Sequence, residues 1–124
     1  MSQPTILIVE DEPAIRRLVK ETLEPRYAIQ EAVDGLDGLQ RAQSVKPDLI
    51  ILDLRMPGLD GLSVLRKLKA DRQTAGIPVV IVSVHGETDM LLEGQRAGAV
   101  DHLIKPFDIN DLRRVVSRQL PLAD

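Results

Sequence analysis

Leu49-Ile50-Ile51-Leu52-Asp53-Leu54-Arg55-Met56-Pro57-Gly58-Leu59-Asp60-Gly61 is the stretch that decides the fold. It opens with an apolar run that has no polar alternation, the pattern of a strand covered on both faces in a parallel sheet. Asp53 closes that run, Pro57-Gly58 turns the chain, and Asp60 stands where a side chain can cap a helix carrying Leu62, Leu65 and Leu68. A covered strand that leads into a helix is one unit of an α/β sheet. Open sheets of this kind place their ligand sites at the carboxyl ends of the strands. Asp60 is the better cap, so Asp53 is a candidate for chemistry.

The same unit recurs on either side. Thr5–Val9 ends at Glu10 and Asp11, Ile77–Val82 at Ser83, and Val100–Ile104 at Lys105. Tyr27–Ala32 contains Gln30 and Glu31, which suits an edge strand. Helical spacing fills the intervals. Ile15, Leu18, Val19, Thr22 and Leu23 share a face after Pro13, a residue tolerated in a first turn. Leu36, Leu39 and Ala42 mark a helix opened by Asp34-Gly35, and another runs from about Thr88 to Ala97 and stops at Gly98. A last helix follows Asp108 with Leu112, Val115, Val116 and Leu120. The expected fold is α/β, a doubly wound five-stranded parallel sheet flanked by five helices. One domain is expected over residues 1–124, with a core at about 5–120 and frayed ends at 1–4 and 121–124.

Composition narrows the function. A chain of 124 residues with 44% hydrophobic and 28% charged residues is of a globular, not a disordered, kind. A net charge of −3 argues against direct nucleic-acid binding. The triplets Arg16-Arg17-Lys20, Arg66-Lys67-Lys69 and Arg113-Arg114-Arg118 read as solvated helix faces. No apolar run approaches the roughly 20 residues of a membrane-spanning helix, and Met1-Ser2-Gln3-Pro4-Thr5 lacks the pattern of a signal peptide, so no membrane role and a cytoplasmic location are expected. Cysteine is absent, which removes disulfides, thiolate metal sites and thiol nucleophiles.

Parallel packing of these strands gathers Glu10, Asp11, Asp53, Ser83 and Lys105 on one edge. An acidic pair, an isolated aspartate, a hydroxyl and a lysine describe a Mg²⁺-dependent site for phosphorylating an aspartate. A carboxylate attacks a phosphoryl group poorly while both are anionic, because unit charges about 4 Å apart repel by roughly 4 kcal/mol at an effective dielectric near 20. A hard cation on oxygen ligands relieves that repulsion, and lysine and hydroxyl donors suit the remaining phosphoryl oxygens. Carboxylates crowded without metal also raise the pKa of at least one of their number.

Ile6-Leu7-Ile8-Val9-Glu10-Asp11-Glu12-Pro13, Asp53 with Met56-Pro57-Gly58 and Asp60-Gly61, Val82-Ser83, and Lys105-Pro106-Phe107 together resemble the receiver domain of two-component response regulators. The resemblance spans essentially residues 5 to 120 and implies a flavodoxin-like sheet of order 2-1-3-4-5. It implies that Asp53 is the phosphoacceptor and that Glu10, Asp11, Asp53 and the carbonyl of Arg55 bind Mg²⁺. Ser83 and Lys105 would contact the phosphoryl group, and Lys105–Pro106 is a candidate cis peptide. The implied partners are a sensor histidine kinase or histidine phosphotransferase and a downstream protein or effector domain. The readout face, around helix 4, strand 5 and helix 5, would include Leu91, Leu92, Gln95, His102, Leu103, Asp111 and Arg114, and a phosphorylation-linked homodimer is a further expectation. The chain would not be an enzyme beyond assisting its own phosphorylation and dephosphorylation.

Departures from the family pattern are local. Val84 and His85 follow the hydroxyl where the family usually has a small residue, and Val84 is expected to restrict access to the acyl phosphate. Arg55 and His85 are candidates to shape that path and touch the phosphoryl group. His102 replaces the usual aromatic switch residue and reads either as a modified switch or as an exposed histidine. Two rival classes stand beside the switch: a phosphorylation-independent interaction module of the same fold, and an aspartyl-phosphate phosphohydrolase. The latter generally carries a second aspartate two residues after the nucleophile, where this chain has Arg55. Both a stand-alone receiver and an excised one fit the sequence.

Overall fold

The computed structural model describes residues 3–121. Five strands, β1 (Thr5–Val9), β2 (Ala28–Ala32), β3 (Leu49–Asp53), β4 (Val79–Val84) and β5 (Asp101–Lys105), alternate with α1 (Pro13–Leu23), α2 (Gly35–Val45), α3 (Gly61–Ala70), α4 (Thr88–Arg96) and α5 (Ile109–Gln119). The strands form one parallel sheet in the order β2-β1-β3-β4-β5. Among the described residues no helix is long and apolar enough to cross a membrane. The expected fraying of Met1, Ser2 and residues 122–124 lies outside the described residues. Pro4 is tied in, because its carbonyl accepts the Ala28 N–H at 2.9 Å.

The two-residue period of a strand divides the core into two layers. Leu7, Val9, Ile50, Leu52, Val79 and Ile81 pack with Ala42 of α2, with Leu62, Val64, Leu65 and Leu68 of α3, and with Met90 and Leu91 of α4. Ile6, Ile8, Leu49, Ile51, Val80 and Val82 pack with Val19 and Leu23 of α1 and with Leu112, Val115 and Val116 of α5. The runs Ile6–Val9, Leu49–Leu52 and Val79–Val82 of the central strands are therefore covered on both faces and apolar throughout, and polar residues enter only at the strand ends.

Several expectations shift. Tyr27 precedes β2 and lends its ring to the α1–α5 layer, with its hydroxyl donating to the Leu120 carbonyl at 3.0 Å. β4 runs through Ser83 to Val84, and Val100 precedes β5 with an exposed side chain. Leu36 is 59% exposed, because the buried residues of α2 are Gly35, Gly38 and Ala42, with Gly38 against Val9 of the sheet and Gly35 against Leu59 and Val64. Leu103, expected on the readout face, is buried in the α1–α5 layer. Pro13 opens α1, while Asp34, Asp60 and Asp108 cap α2, α3 and α5, each accepting a backbone N–H from three residues ahead. Lys105–Pro106 is cis, as is Glu24–Pro25.

Candidate functional site

The register brings the strand ends together. Asp53 is the last residue of β3, Lys105 the last of β5, and Glu10 follows β1 directly. Glu10, Asp53 and Lys105 continue the parity of Ile8, Ile51 and Leu103, which places them on the α1–α5 side of the edge. Ser83 continues the parity of Val79 and Ile81 and so approaches from the α2–α4 side. Glu10, Asp53 and Ser83 are all buried polar residues.

The Lys105 ammonium lies 2.9 Å from Glu10 Oε1, 3.1 Å from Glu12 Oε1 and 3.2 Å from Asp53 Oδ2. The other Asp53 oxygen accepts the Arg55 N–H at 3.1 Å, and the other Glu10 oxygen accepts the Glu12 N–H at 3.2 Å. Arg16 steadies the turn from outside by donating to the Glu10 carbonyl at 2.8 Å. Burial of Glu10 pushes its carboxyl up to about 8; Lys105 opposes that shift and Asp53 adds to it. Burial favours the neutral form of Lys105, but the carboxylates of Glu10, Glu12 and Asp53 outweigh it and hold the ammonium above its ordinary range. The raised carboxyl expected of a crowded acidic site thus falls on Glu10.

One carboxylate oxygen from each of Glu10, Asp11, Glu12 and Asp53 can be chosen so that all lie within 4.8 Å of one another. This donor set is all oxygen and negatively charged, which suits a small hard cation such as Mg²⁺ and not a soft metal. Asp11 is half-exposed, so the cluster opens to solvent on one side.

The remaining residues lie at the mouth. Val84 is 37% exposed, and Val84 and His85 line a cavity of about 250 Å³ with Ser83, Glu87, Leu91 and Ile104. His102 is half-buried on β5 and shares a groove of about 430 Å³ with His85, Ile104, Phe107 and Arg114. The Arg55 guanidinium, a candidate phosphoryl contact, is instead engaged by Glu87, with Nε 3.0 Å from Oε2. Sequence reasoning missed Glu12 and Glu87 as members of the site. Glu12 had a signal in the uninterrupted run Glu10-Asp11-Glu12. Glu87 had none, because its partner is 32 residues away.

A family model described as the response regulator receiver domain matches residues 6–117. The chain is 44% identical over 122 residues to the DNA-binding dual master transcriptional regulator RpaA of Synechocystis, covering 98% of this chain and 51% of that protein. It is 38% identical over 123 residues to sporulation initiation phosphotransferase F of Bacillus subtilis, covering 98% of each. It thus spans about half the length of the first relative and nearly all of the second. The structure is also similar, with a TM-score of 0.86 and 28% identity, to the receiver domain of sensor histidine kinase PA1611 from Pseudomonas aeruginosa, solved with a magnesium ion in its active site cleft. That likeness covers 95% of this chain and 98% of the other.

Proposed function

The chain belongs to the response regulator receiver domain family, and from that premise we propose that Asp53 accepts a phosphoryl group from a histidine kinase or histidine phosphotransferase. The observation that carries this reading is the Lys105 ammonium 3.2 Å from Asp53 inside a cluster of carboxylates. That arrangement has a nucleophile, a cation to pair with the incoming group, and ligands for a metal. We read residues 1–124 as one receiver domain in the cytoplasm, acting as a switch and not as an enzyme with a substrate of its own.

Glu10, Asp11, Asp53 and the Arg55 carbonyl would hold Mg²⁺, and Glu12 stands close enough to join them or a coordinated water. When bound, the ion would neutralise the acidic cluster and the charge developing on the transferred group. In the transfer, an Asp53 carboxylate oxygen forms the new O–P bond as the donor's N–P bond breaks, and the leaving imidazole keeps the electron pair and takes a proton. Arg55, through its backbone N–H, holds one Asp53 oxygen and so fixes the carboxylate plane. Lys105 exchanges part of its carboxylate contact for the phosphoryl oxygens, and the Ser83 hydroxyl donates to another. Lys105 and Ser83 belong to β5 and β4, so these new contacts draw on the ends of those strands. The resulting shift in population would be read by a protein partner, an effector domain or a second copy at α4, β5 and α5.

Intact mass after incubation with acetyl phosphate and Mg²⁺ tests the reading. One phosphoryl adduct is expected, absent in Asp53→Ala and absent without metal. Val84 would slow small donors, so Val84→Ala should take up the group faster; an unchanged rate would remove Val84 as the access residue. No adduct in either form would point to a module independent of phosphorylation.

A further inference from the structure

Arg55 reaches in two directions. Its backbone N–H donates to the phosphoacceptor, Asp53 Oδ1, at 3.1 Å. Its guanidinium makes two hydrogen bonds to Glu87 Oε2, the Nε contact at 3.0 Å and a second from a terminal nitrogen. The other Glu87 oxygen accepts the Val84 N–H at 3.1 Å, and the Glu87 N–H donates back to the Val84 carbonyl at 3.3 Å. These bonds close a turn around Gly86, whose φ of +96° favours glycine. The Glu87 carbonyl then accepts the Leu91 N–H and begins α4. The chain of contacts therefore runs from Asp53 through Arg55 and Glu87 to Val84 and the first turn of α4.

The two ends of the ion pair differ. The Glu87 side chain is 9% exposed and the Arg55 side chain 70%. The Val84 N–H, against some opposing burial and helped by Arg55, holds the Glu87 carboxyl below its ordinary range. Glu87 is therefore fixed and anionic, while Arg55 is an exposed cation free to change partner. Lys105 already serves three carboxylates, so a phosphoryl group on Asp53 would add charge that Lys105 can only partly meet. A guanidinium fork matches a phosphate more strongly than a single carboxylate oxygen.

Resting on the phosphoacceptor reading, we propose that Glu87 is a positioning residue: paired with Arg55, it latches the β4–α4 turn, and phosphorylation of Asp53 draws Arg55 away and releases it. Val84 and the start of α4 then report directly on the state of Asp53. This second route from the site to α4 is independent of the Ser83 hydroxyl.

The test uses the full chain, amide exchange at Val84 and the NMR signal of the Arg55 Nε–H, before and after phosphorylation by phosphoramidate with Mg²⁺. In the unaltered chain the Nε–H signal moves and Val84 exchange quickens about fivefold, the scale of an exposed ion pair. Glu87→Gln keeps an acceptor for Val84 but no charge for Arg55, so its Val84 amide should exchange at the faster rate beforehand and change little on phosphorylation. An adduct with an unmoved Nε–H signal, or with the full Val84 step retained in Glu87→Gln, would overturn the latch alone. Failure of both the unaltered chain and Val84→Ala to form an adduct would overturn the phosphoacceptor reading, and the latch with it.

Discussion

Glu10 is almost wholly buried, and burial pushes its carboxyl up to about 8 against the pull of the Lys105 ammonium. A metal that uses this carboxylate must first displace its proton. Mg²⁺ affinity should therefore rise nearly tenfold for each pH unit up to about 8 and level off above it, as titration calorimetry can show. The sign for folding follows from the same shift. Between the ordinary value of 4.5 and about 8 the folded chain keeps a proton that the unfolded chain has released. Metal-free stability should fall as pH rises through that window, and urea unfolding across it is the check. Lys105 is the complementary case, since one ammonium faces Glu10, Glu12 and Asp53. Lys105→Met should cost roughly 3 kcal/mol without metal, because it strands buried carboxylates. Mg²⁺ should restore part of that loss in the same unfolding assay.

The helix α3 is set against the phosphoacceptor strand by a glycine. A Cβ on Gly61 would lie 2.3 Å from the Asp53 carbonyl oxygen and 2.4 Å from the Leu54 Cα, both backbone atoms that cannot turn aside. Gly61→Ala should destabilise the chain by roughly 2 kcal/mol, the scale of overpacking, and weaken Mg²⁺ binding as the end of β3 shifts. Equilibrium unfolding and metal titration would measure the two effects separately. At this scale the sequence was readable where one local rule acts alone. Asp60 before Leu62, Leu65 and Leu68 gave both cap and face, and Asp108 marked the start of α5, where the structure shows it to be the cap. Reading failed where tertiary packing decides. Leu36 sits in a helix whose closest approach is made by glycines, so an apolar residue there stays exposed. Leu103 lies on an edge strand with covered positions on one side only, and hydrophobicity alone did not say which side.

Across the whole molecule, strand parity carries the site. Parallel strands with staggered apolar runs bring their terminal residues to one edge, so Glu10, Asp53 and Lys105 were assembled by counting along the strands. Contacts between loops, such as Arg55 with Glu87, leave no periodic trace in the sequence and required coordinates. If Asp53 is a switch, its phosphorylation should alter hydrogen-exchange protection in the β4–α4 turn, α4 and β5, while the β1–β2 pair and α2 keep theirs. Exchange read peptide by peptide on the two forms would reveal that polarity. The most direct measurement is to locate the phosphoryl group. After treatment with acetyl phosphate and Mg²⁺, borohydride reduction converts an acyl phosphate of aspartate to homoserine, which peptide mass spectrometry assigns to a position. Homoserine at Asp53, and only when Mg²⁺ was present, is the expected result; homoserine at Glu10's neighbour Asp11, or an unaltered Asp53 in a chain that carries a phosphoryl adduct, would contradict it.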